Sequence, residues 1–163
     1  MELQPGFMDN KIREWLQSLG YSVRDQPQAK EPFNVVVSPP QGGPVLNVIR
    51  PTQDGKFYII TMGIGIHPMH QNALRDMKEK ERREFLSELK YDLLKMGVDF
   101  AFLPVNQETP QIVQVSRLVL SESLTPNEFM NSFFAVRNAG LLVIFKISDK
   151  FGNVAPPQPS RYI

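Results

Sequence analysis

Residues 33–66, FNVVVSPPQGGPVLNVIRPTQDGKFYIITMGIGI, decide the fold. Three runs within them, 33–38, 45–50 and 57–63, are rich in β-branched and aromatic residues and are separated by Pro, Gly and Asp-Gly clusters. Short runs of that composition bounded by turn residues read as strands joined by hairpins. Asp54-Gly55 is the best hairpin signal, because a type I′ turn needs positive φ at both central residues and Asp-Gly can supply it. The block is the antiparallel start of a sheet.

Upstream, Ile12, Trp15, Leu16 and Leu19 recur at spacings of three and four, which predicts a helix over residues 10–19 capped by Asp9 and stopped by Gly20. Residues 21–24 can add a short leading strand. Downstream, Pro68 opens a helix whose apolar face passes through Leu74, Met77, Phe85, Leu89, Leu93 and Met96 to a stop at Gly97. Asp76 followed by Glu79 resembles a capping box, so a kinked pair of helices is expected there. Residues 98–103 and 112–120 read as two further strands. Thr125, Pro126 and Glu128 then give a cap, a first-turn proline and the closing residue of a capping box, predicting a helix over residues 126–138 with Gly140 as its stop. The apolar run 141–147 reads as a last strand, apolar on both faces.

The prolines agree with this parsing, since none of the 14 lies between Met69 and Leu103 or between Asn127 and Ala155. The expectation is a single α+β domain over residues 1–147: an antiparallel sheet of five to six strands, helices packed on one face, and a Pro-rich tail over 148–163. Its α-β-β-β-α-β-β-α order resembles type III secretion chaperone-like folds. The block from NVVVSPP through FAFLP to SESLTPNEF is similar to an archaeal family of unknown function with that fold. The resemblance implies a small cytosolic homodimer that binds protein segments, and it implies no catalytic residue.

Composition narrows the chemistry. The 163 residues carry 18 Lys and Arg against 17 Asp and Glu, a net charge of +1, so global charge names neither a nucleic acid nor a membrane as partner. No cysteine is present and only two histidines, which removes disulfides, thiolate nucleophiles and cysteine metal sites. The N-terminal residues show no secretory signal. The stretch 57–66 falls short of the roughly 20 apolar residues that span a bilayer. A cytoplasmic location is expected.

His67 and His70 stand three apart at a helix start, where they could share a metal with Asp76 or Glu79 as the nearest carboxylates. The same HPMH segment is also ordinary helix-entry chemistry, and that is the expected role. Gly63 and Gly65 before a helix suggest a phosphate loop, but neither G-x-G-x-x-G nor G-K-[ST] is completed, so they are expected to serve strand geometry. Residues 75–95 hold seven basic and six acidic side chains, interleaved. Pairs at i,i+4 (Asp76–Lys80, Lys80–Glu84, Glu79–Arg83) point to a solvated helix face, a pattern that heat-adapted proteins share. Glu108, Glu122, Glu128 and Asp149 form no acid–base pair at fixed spacing. No cofactor is expected. The C-terminal excess of apolar residues supplies Phe133, Phe134, Leu142 and Ile144 as interface candidates beside their reading as core. The functional expectation is a non-enzymatic, chaperone- or adaptor-like binding module acting as a homodimer. Its rival is a metal- or small-molecule-binding enzyme centred on His67 and His70.

Overall fold

The structure is a computed structural model and describes residues 5–154. The strands are β1 (Ser22–Asp25), β2 (Phe33–Ser38), β3 (Leu46–Arg50), β4 (Phe57–Gly65), β5 (Asp99–Leu103) and β6 (Ile112–Leu120). They form one sheet in the order β1-β2-β3-β4-β6-β5, every pair antiparallel. The period-2 geometry of a strand sends alternate side chains to opposite faces. One face therefore collects Val35, Val37, Leu46, Val48, Tyr58, Ile60, Met62, Val113 and Val115, all essentially without solvent contact.

The helices cover that face: α1 (Pro5–Ser18), α3 (Glu79–Lys95) and α4 (Pro126–Phe151), with α2 (Pro68–Asp76) packed on α4. Helix α4 lies centrally over β4 and β6. Its Phe129, Phe133, Val136, Val143 and Ile147 complete the core, with Trp15 and Tyr21 set against Phe129 and Phe133 at ring distances of 5.9 and 5.3 Å. By length and composition α4 could cross a membrane. Here its apolar stripe is the inner layer of the domain.

The structure departs from the sequence reading at several points. Residues 141–147 are not a strand: α4 runs through Gly140 without interruption, and the sixth strand is the N-terminal β1. Ser148 and the three residues after it close α4, so the domain extends past residue 147; the remainder of the expected tail, 155–163, lies outside the described residues. Helix α1 begins before Asp9, which sits inside it instead of capping it. The β3–β4 connection is longer than a two-residue turn, because only Gly55 (φ 66°) has positive φ and Asp54 does not. The break between α2 and α3 is present, but its cap is Lys78, without a side-chain hydrogen bond, and not Asp76.

The expected capping box forms in full: Thr125 Oγ1 accepts from the Glu128 N–H at 3.2 Å, and Glu128 Oε2 accepts from the Thr125 N–H at 3.1 Å. Thr125→Ala takes the acceptor from the Glu128 N–H at the helix end and should destabilise the domain by about 1 kcal/mol in urea denaturation, with an unchanged m-value.

Candidate functional site

Three places concentrate polar or exposed apolar groups. The first is the start of α2. Pro68 occupies the first helical position, and His67 caps the helix by accepting the Met69 N–H on Nδ1 at 3.1 Å. One turn on, His70 is buried and its Nε2–H donates to the Gly152 carbonyl at 2.8 Å, closing the C-terminal end of α4. The two imidazoles are 6.2 Å apart, ring to ring. Among the described residues, no group of three or more His, Asp or Glu side chains is arranged to hold a metal ion. Asp76 is exposed at the end of α2, and Glu79 pairs with Arg83 at 2.8 Å. Each histidine thus has a fold-building partner. Gly63 and Gly65 lie within β4, paired with Gln114 and Ile112, and form no loop before the helix.

The second place is a buried polar cluster beneath α1. Arg50 ends β3 pointing into the core and donates from Nε and Nη2 to the two oxygens of Asp9, at 3.0 and 2.9 Å. Its Nη1 donates to the Thr52 carbonyl at 2.9 Å, and the Tyr58 hydroxyl donates to Asp9 Oδ1. The hydrogen bonds it donates to Asp9 hold the Arg50 guanidinium above its ordinary range. Burial, then the neighbouring carboxylate, pushes the Tyr58 phenol far above the ordinary tyrosine value. An open cleft of about 580 Å³ adjoins the cluster, lined by Phe7, Asn10, Arg13 and Phe33 among others. Arg13 is held by Asp25 at 2.6 Å and stacks over Phe33. The cluster is closed on itself, so it ties α1 to β3 and β4.

Sequence reasoning gives Asp9 only as a helix cap and passes over Arg50 and Tyr58, although the signal is there. Asp9 falls on the stripe of Met8, Ile12 and Leu16, and Arg50 and Tyr58 share the inward parity of Val48 and Ile60. A charge of each sign on inward positions is the mark of a buried pair.

The third place is the apolar surface left over. A groove of about 390 Å³ between α3 and α4 is lined by Met96, Asn138, Leu141, Leu142, Phe145, Lys146 and Asp149, with Phe145 60% exposed. Lys146 bridges Glu88 and Asp92 across the helices at 2.8 and 3.0 Å, and those carboxylates hold its ammonium above the ordinary range. Of the interface candidates, Phe133 has no exposed surface and belongs to the core, whereas Phe134, Leu142 and Ile144 are half-buried. The remaining acids serve structure or solvent: Glu128 closes its capping box, Glu108 pairs with Arg82 at 2.6 Å, and Glu122 is exposed. On the opposite layer, no helix among the described residues covers the outer face of the sheet, which carries Leu118 and Leu120 at 49% and 64% exposure.

Residues 8–147 match the family described as uncharacterized conserved protein, DUF2299. The chain belongs to this family. A crystal structure of an uncharacterized protein from Methanothermobacter thermautotrophicus is similar to it, with a TM-score of 0.79 and 25% identity, covering 89% of this chain and 99% of that one. No curated protein matches the chain. For DUF2299 the shared unit is thus the α+β domain from the first turn of α1 to the last turns of α4.

Proposed function

We propose that the chain is a non-enzymatic binding module: a cytoplasmic homodimer, chaperone- or adaptor-like, that acts by covering apolar surface. The observation that carries this reading is the placement of large apolar side chains in solvent on both layers, Phe145 above the α3–α4 groove and Leu118 and Leu120 on the outer face of the sheet. Contiguous exposed apolar surface on a small domain marks an interaction site. The element order, similar to that of type III secretion chaperones, supports a protein segment as ligand. The engagement of His67 and His70 in helix ends weighs against the metal-enzyme reading.

Light scattering on eluting protein at micromolar concentration is expected to give twice 18.6 kDa. Stoichiometric protein should also delay aggregation of an unfolding client, and Phe145→Asp should abolish the delay. A monomer at every concentration up to about 100 μM, or protection unaffected by Phe145→Asp, overturns the reading.

A further inference from the structure

The outer face of the sheet has a charge pattern that specifies its occupant. Alternation places Ser22, Arg24, Asn34, Val36, Ser38, Asn47, Ile49 and their equivalents on the other strands outward. Among the outward strand residues only Arg24 and Asp99 are charged, and they have opposite signs. They stand on the two edge strands at the ends of a single cross-strand row, Arg24–Val36–Asn47–Thr61–Ser116–Asp99. Both are exposed, and neither side chain makes a hydrogen bond or ion pair with another described residue. The adjacent row is Asn34–Ile49–Ile59–Leu118, with Phe57 and Leu120 paired beyond it, so an apolar centre is flanked by one cation and one anion.

We propose that this face binds a second copy of the chain, sheet against sheet, about a two-fold axis running along the strands between β3 and β4. The proposal rests on the homodimer reading above and adds the face and the axis. A two-fold axis in the plane between two stacked sheets and parallel to their strands exchanges the edges, so β1 of one copy lies over β5 of the other. Arg24 then meets Asp99 of the partner subunit, and the symmetry makes the contact twice. An axis along the row would instead set Arg24 on its own copy. At the centre, Ile49 packs on Ile59 of the partner subunit and the reverse.

The magnitudes agree. The six strands have 4, 6, 5, 9, 5 and 9 residues, and at about 3.3 Å per residue and about 4.8 Å between strands they give a face of about 600 Å². A stable interface takes about 800 Å² per partner. Aligned sheets cross at about 30°, which displaces an edge 12 Å from the axis by about 6 Å, within the reach of an arginine side chain. The amide side chains at the middle of the face are already paired within it, as a dry interface requires. Asn47 Nδ2 donates to Asn34 Oδ1 and to Gln26 Oε1, both at 3.0 Å, and Gln114 Nε2 donates to Thr61 Oγ1 at 3.2 Å.

Sedimentation equilibrium on the full chain, with circular dichroism to verify folding, tests the geometry. Leu118→Lys is expected to give a folded monomer. Arg24→Asp sets like charges opposite each other twice per dimer and should raise the dissociation constant about tenfold or more. Adding Asp99→Arg to it should restore the dissociation constant to within about threefold, because the pair is then reversed intact. A dimer that survives Leu118→Lys overturns the face and leaves the homodimer reading standing. A double variant as weak as the single one overturns the axis. A wild-type chain that is monomeric throughout overturns both.

Discussion

Asp9→Ala is expected to cost about 3–5 kcal/mol of stability, lowering the thermal midpoint by roughly 10 °C or more. The size follows from what is left behind. Arg50 is 6% exposed, and removing the carboxylate strands its guanidinium among apolar side chains with one carbonyl, that of Thr52, to accept from it. Tyr58 loses its acceptor at the same time. Desolvating an ion is expensive, so an unpaired buried charge costs far more than the intact pair contributes. The corollary is a sharper test than the single variant. Replacing the whole cluster, Asp9→Leu with Arg50→Met and Tyr58→Phe, should recover most or all of the loss, because no charge or hydroxyl remains to be desolvated. Urea denaturation of the two proteins checks the pair. A single variant that loses under 1 kcal/mol would mean that water reaches Arg50 through the adjoining cleft.

The same cluster shows why parts of the fold were legible in the sequence and others were not. Strands β2 to β6 and the start of α4 follow local rules: runs of β-branched or aromatic residues between turn residues, and a complete capping box at Thr125. The identity of residues 141–147 follows no local rule, because an unbroken apolar run fits a buried strand and a buried helix equally well. Gly140 tipped the reading toward a stop, since glycine inside a helix costs about 1 kcal/mol. Its reason is tertiary. A Cβ there would lie 2.2 Å from Met62 Sδ and 2.5 Å from its Cε, so the glycine lets α4 settle onto β4. Asp9 reads as a cap in the sequence for the same cause: its partners are 41 and 49 residues away. The candidate surface divides similarly. The apolar surplus at the C-terminus is legible as composition, but which residues face outward depends on the helical period of α4, which an unbroken apolar run does not display.

Phe133→Ala separates the two readings of that surplus and carries the second large effect, a loss of about 3–5 kcal/mol. Phe133 is completely buried. It meets the Tyr21 ring edge-on at 5.3 Å, with Phe129 and Phe134 at 6.3 and 6.0 Å. Truncation therefore removes the buried ring and leaves a cavity between α4 and the chain leading into β1. If the residue were instead part of an interface between subunits, its loss would appear mainly in the dissociation constant and would vanish at high protein concentration. The expected result is the reverse: the unfolding free energy of Phe133→Ala falls by the same amount at every protein concentration, and its dissociation constant under native conditions stays within about threefold of wild type. Leu142→Ala is the complementary measurement. That side chain is half-buried beside the α3–α4 groove, so its truncation should cost distinctly less than that of Phe133. Equal losses for the two would place Leu142 in the core as well, and would leave Phe145 as the main apolar anchor that α4 offers to a partner.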